Sequence, residues 1–136
     1  MTAQPGSRQH ELAPRIALAH SYVTALAARD PDSLRAVFAP EIDFRGLTPG
    51  MVWEAKAAEA VVRDILLVWF GEADNVESIE ELETALIGTR VRVGYRLTGT
   101  CDSGPFTVEQ QAYFEERDGR ITWMRVLCSG YQEATP

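Results

Sequence analysis

Four side chains in this 136-residue sequence have the type and setting to do chemistry: Gln110, Cys128, Asp43 and Tyr22. Gln110 shares a predicted strand face with Val108, Ala112 and Phe114, which are all apolar, while Thr107, Glu109, Gln111, Tyr113 and Glu115 alternate to the other face. A lone amide in such a place must find a partner or cost about 1–3 kcal/mol. It can donate to a ligand oxygen but cannot act as acid or base; pairing with backbone or with Tyr22 would satisfy it equally well. Cys128 alternates with Met124 and Val126. A nucleophilic thiolate needs a cation or base beside it. His10 falls in the predicted tail, and His20 lies roughly 200° around a helix from Tyr22, so neither obviously serves. Cys128 then counts mainly as a small hydrophobe. Asp43 alternates away from Phe44 and, with Arg45, reads more as a surface ion pair or interface contact than as a catalytic dyad. Tyr22 belongs to the helical apolar stripe Ile16, Ala19, Tyr22, Val23 and Leu26, the setting of a core tyrosine with its hydroxyl at a cavity edge. No phosphate loop, dinucleotide fingerprint, zinc-protease motif, nucleophile elbow or metal cluster occurs, and the run Glu77, Glu80, Glu81, Glu83 lacks calcium-loop phasing, so no metal and no cofactor is expected.

These residues need elements to position them. Residues 1–7 read as a flexible tail and 8–133 as a single domain. A first helix is predicted from Arg8 or Pro14 to Arg29 and a short one over Asp32–Phe38, with Asp30 as N-cap and Pro31 at its first position. Glu41–Arg45 alternates as a short strand before Gly46, Pro49 and Gly50. The alanines at 55, 57, 58 and 60 predict the longest helix over Val52–Phe70, ended by Gly71. A four-stranded antiparallel meander follows: Val76–Ile87, a Gly88-Thr89 turn, Arg90–Leu97, a loop at Asp102–Pro105, Phe106–Glu115, an Asp118-Gly119 turn and Arg120–Ser129. Helices first and strands later means an α+β fold. If the sheet curls around the long helix, a cone with an open mouth results.

The run Arg29-Asp30-Pro31-Asp32-Ser33-Leu34 through Phe38-Ala39-Pro40 resembles the helix junction of the nuclear transport factor 2-like superfamily, and Phe114–Ile121 resembles its last hairpin. The element order is similar over nearly the whole chain and looks closest to the SnoaL-like, polyketide cyclase-like branch. The resemblance implies a cone-shaped curved antiparallel sheet wrapped around a long helix with two N-terminal helices, a pocket in the cone, and frequent dimerisation through the convex face. By the same resemblance Tyr22 falls where ketosteroid isomerase places an oxyanion-hole tyrosine, and Gln110 falls near its second oxyanion-hole group. Gly46 stands where that enzyme carries its proton-shuttling Asp, so steroid-type isomerisation is disfavoured. Phe44, Val108, Ala112, Met124, Val126 and Cys128 would form the pocket walls, and Trp123, Arg125 and Leu127 a dimer face. Tyr95 and Leu97 fit either face until the register is known.

Composition bounds the partners. The chain has a net charge of −7 and a single lysine, Lys56, which argues against nucleic acid and anionic membrane surfaces. Its longest apolar run, Ile65–Phe70, is too short to span a bilayer, and no signal pattern opens the sequence, so a cytoplasmic, bacterial protein with two reduced thiols is expected. The leading expectation is a homodimer with a pocket for a small apolar carbonyl or hydroxyl compound, acting as a cofactor-free isomerase, cyclase or dehydratase with Tyr22, Gln110 and Asp43 as candidate catalytic groups. The alternatives are a non-catalytic ligand-binding or dimerisation module and a domain whose cone is filled by its own side chains.

Overall fold

The computed structural model describes residues 5–133, and side chains over residues 12–132. Residues 1–4 of the expected tail and the side chain of His10 lie outside this range. Helix α1 (Pro5–Ala28) starts earlier than expected and runs through Pro14. It buries Leu18, Ala19, Tyr22, Val23, Ala25 and Leu26 on one face, as the apolar spacing predicts. Arg29 takes a left-handed conformation (φ 53°) that ends the helix. Asp30 then accepts from the backbone N–H groups of Asp32 and Ser33 and opens α2 (Pro31–Val37).

Strand β1 (Phe38–Thr48) is longer than the predicted Glu41–Arg45. Pro40 lies within a register irregularity between Phe38 and Asp43, where a missing N–H is tolerated. The expected helix over Val52–Phe70 is the main correction. Its first part is strand β2 (Met51–Ala57), folded back on β1 through the Pro49-Gly50 turn, where Gly50 has φ 74°. Strand pairing overrides the helix propensity of Ala55 and Ala57. Trp53 and Ala55 are half-buried, whereas Val52, Glu54 and Lys56 are exposed. Cross-strand ion pairs, Arg45–Glu54 and Lys56–Asp43, both at 3.3 Å, hold this charged edge.

Helix α3 is therefore short, covering residues 58–69. It is α-helical over Ala58–Ala60, π-helical over Val61–Leu66 and α-helical again over Leu67–Trp69. Strands β3 (Asn75–Ile87), β4 (Arg90–Cys101), β5 (Gly104–Arg117) and β6 (Arg120–Cys128) form the expected meander, and β7 (Gln132–Glu133) adds to β5. The sheet order is β2-β1-β6-β5-β4-β3. It is mixed rather than wholly antiparallel, because β1 lies parallel to β6. Hairpin turns force antiparallel pairing only between consecutive strands, and β1 and β6 share no turn. The long helix against the sheet is thus α1, which packs on β3 and β4.

The two-residue turn between Cys101 and Gly104 sets Tyr95 opposite Gln110 and Leu97 opposite Val108. At the far end Gly99 lets β3 approach: a Cβ there would collide with the carbonyl of Asn75. Gly99→Ala should cost roughly 1–3 kcal/mol in urea unfolding, since a backbone obstacle cannot yield as a side chain would.

Candidate functional site

The concave face of the sheet gathers the predicted residues. Tyr22, Phe44, Val108, Gln110, Ala112 and Met124 are fully buried, and Val126 nearly so. Tyr95 joins them (2% exposed), which settles the register left open by the sequence. The hydroxyls of Tyr22 and Tyr95 are hydrogen-bonded at 3.2 Å, and Tyr95 donates to Gln110 Oε1 at 2.5 Å. Gln110 Nε2 is buried without a partner. The two phenol hydrogens are used in these two hydrogen bonds, so the two amide hydrogens on Gln110 Nε2 are the donors left without an acceptor. Burial pushes both phenols well above their ordinary range, keeping them neutral. Cys128 is half-buried, lies opposite Gln110 in the β5–β6 ladder, and its sulfur accepts from the Gly130 N–H at 3.4 Å.

Asp43 is not part of this cluster. It lies on the outer face, where Arg125 donates to its carboxylate at 3.2 Å and Lys56 pairs with it at 3.3 Å. Partial desolvation works against its charge, but hydrogen bonds from Arg125 and Lys56 prevail and hold its carboxyl below the ordinary range. The pairing therefore adds stability above the ordinary Asp range and loses it as pH falls through the lowered value. Asp43, the carboxylate named as a candidate catalytic group, is thus engaged elsewhere.

The position that the isomerase resemblance assigns to a base is filled by another residue. The indole of Trp69 lies over Gly46, and a Cβ there would come within 2.6 Å of the ring. Trp69 also packs against Phe44 and Trp53 at centroid distances of 6.2 and 6.0 Å. Its Nε1 is buried and unpartnered. The π-helical stretch widens the turn before it, with the Leu67 N–H donating back to Val62, and so re-phases Trp69 relative to a regular helix. Tyr22 and Gln110 have no exposed surface.

A groove of about 650 Å³ lies instead on the convex face. Trp123 lies in it with the guanidinium carbons of Arg90 and Arg125 at 3.9 and 4.4 Å from its ring centroid. Leu47, Val52, Ile87 and Leu127, each 45–57% exposed, add apolar surface. Sequence reasoning placed Trp123, Arg125 and Leu127 on this face. It missed Arg90 and Ile87, which face each other in the β3–β4 pairing and which the β4–β5–β6 ladder brings alongside. Among the described residues no group of three or more His, Cys, Asp or Glu is placed to hold a metal, and no helix is long and apolar enough to cross a membrane.

A curved sheet with its helices on the concave side defines the nuclear transport factor 2-like fold, and comparison with solved structures agrees. The chain is similar to a candidate isomerase from Bacillus subtilis (TM-score 0.74, 14% identity, 88% of each chain covered). It is similar to an LEH-like epoxide hydrolase from M. tuberculosis (TM-score 0.67, 16% identity, covering 86% of this chain and 84% of that one). It is also similar to an NTF2-like protein from Burkholderia thailandensis (TM-score 0.64, 19% identity, covering 83% and 88%). At these identities the likeness shows the fold. No family model matches the sequence, and no curated protein does.

Two stability measurements test the geometry. Gly46→Ala must push the Trp69 indole aside and should cost roughly 1–3 kcal/mol. Gln110→Leu alone leaves one buried phenol hydrogen without an acceptor and should cost about 1–3 kcal/mol, while the triple variant that adds Tyr95→Phe and Tyr22→Phe removes both hydroxyls and should recover most of that loss.

Proposed function

We propose that this chain is a homodimeric, non-catalytic binding module of the nuclear transport factor 2-like fold. The observation that carries this reading is the make-up of the buried cluster. Tyr22, Tyr95 and Gln110 leave the Gln110 amide nitrogen free to donate, with no carboxylate or imidazole among the three. Isomerisation, cyclisation and dehydration all require a group that takes up or delivers a proton at the reacting atom. A neutral amide cannot do so, buried phenols held far above neutrality do so poorly, and Trp69 lies over the position where a base would stand. What such a cluster can do is grip one acceptor oxygen, such as the carbonyl of a small apolar compound, through Gln110 Nε2.

The dimer completes the proposal. A two-fold interface must be self-complementary. The convex face has the composition for that: an apolar patch of Leu47, Val52, Ile87 and Leu127, arginines at 45, 90 and 125, and Glu54 on its rim. Aromatic and arginine side chains at the centre of an apolar patch are typical interface anchors.

Sedimentation or light scattering should find a dimer for the wild type and a monomer for Leu127→Glu; a monomeric wild type at tens of micromolar would sink the dimer. For the interior, cyclohexanone serves as a carbonyl probe in thermal unfolding. It should raise the midpoint of the wild type and not of Gln110→Leu. Equal shifts in both proteins would remove Gln110 from the account.

A further inference from the structure

The end of α3 is covered by a side chain from later in the chain, Tyr131. After β6, residues 129–133 cross the gap between β5 and the end of α3 as a narrow strap. The Tyr131 ring lies in a slot with Phe106 stacked on it (centroids 4.5 Å, interplanar angle 14°) and Phe70 close by (5.9 Å). Its hydroxyl reaches the Trp69 carbonyl at 2.9 Å and Asp74 Oδ2 at 3.0 Å. Asp74 is fixed in place by accepting from the Gly71 N–H at 2.9 Å on the same Oδ2. The slot therefore has two aromatic walls and, at its end, two acceptors for one hydroxyl.

The strap that delivers this ring is held lightly. Among the described residues strand β7 is two residues long and pairs with Phe106 and Thr107. Tyr131 remains 37% exposed. Gly130 takes φ 76°, a conformation other residues rarely adopt, and marks the hinge; Pro49 lies against it. Phe70 and Phe106 belong to the rigid body of the domain and are almost fully buried.

We propose that this slot is a binding site for phenols, and that Tyr131 is a displaceable internal ligand occupying it. An incoming phenol stacks on Phe106, donates its hydroxyl to the Trp69 carbonyl and Asp74, and lifts the strap about Gly130. Because the strap must first leave, apparent affinity is reduced by the fraction of molecules in which the slot is vacant, and loosening the strap raises it. The slot stands apart from the Tyr22–Tyr95–Gln110 cluster and does not depend on the function proposed above.

The experiment is chemical rescue, read by thermal unfolding. Tyr131→Ala vacates the slot and lowers the midpoint. p-Cresol, the tyrosine side chain as a free molecule, should raise that midpoint by several degrees and raise it more than in the wild type. Toluene at the same concentration has the ring without the hydroxyl and should do less. If p-cresol stabilises the variant no more than the wild type, or no more than toluene does, the site is not a phenol site. Should Tyr131→Ala fail to fold, the same pair of probes on Tyr131→Leu gives the decision by the same criterion. Gln110→Leu in the Tyr131→Ala background must leave the cresol effect in place, so this site and the interior cluster fail separately.

Discussion

The contact between the Trp69 indole and Gly46 governs the inner half of this domain. It is a backbone-to-ring contact, possible only because position 46 carries no Cβ. It anchors the end of α3 to the middle of β1 and brings Phe44 and Trp53 into one aromatic group. It also fixes the Trp69 carbonyl, the group that receives the Tyr131 hydroxyl. The π-helical turn is the cost of this placement, since a regular helix would present residue 69 at a different angle.

Around that contact the two faces of the sheet divide their tasks. The concave face is buried and largely apolar, and its polar content among the described residues centres on the neutral Tyr22–Tyr95–Gln110 chain. The convex face holds the charges: Asp43 between Lys56 and Arg125, and Trp123 beside two guanidinium groups. One strand can serve both because side chains alternate. Met124 and Val126 face in while Trp123, Arg125 and Leu127 face out, and a bulge opposite Glu115 and Glu116 brings Ile121 inward as well. Charge is thus kept away from the interior by strand parity alone.

Much of this was legible in the residues. The alternation of β4, β5 and β6 and the turns at Gly88 and Asp118-Gly119 set the meander, and the same alternation isolated Gln110 on an apolar face. Asp30 and Pro31 marked the start of α2 because capping is local chemistry. The β2 segment was not legible in the same way. Its alanines favour helix, and only the Pro49-Gly50 turn and the alternation of Val52, Glu54 and Lys56 with Trp53 and Ala55 point to a strand. Tyr95 was visible as part of an apolar face, yet its pairing with Gln110 depends on a register fixed by the turn at Asp102 and Ser103. Trp69 over Gly46 and Tyr131 over Phe106 were beyond reach, because each joins segments far apart in the chain through a contact that leaves no periodic trace.

The Gly46–Trp69 pair also constrains how this sequence could change by descent. A carboxylate at position 46 is a single codon change away in principle, but the indole stands in its path. Trp69 would have to shrink first, and that intermediate would carry a hollow beside Phe44 with nothing yet gained. The order of the two steps is thereby set, and the route to an acidic side chain at position 46 crosses a valley of lower stability.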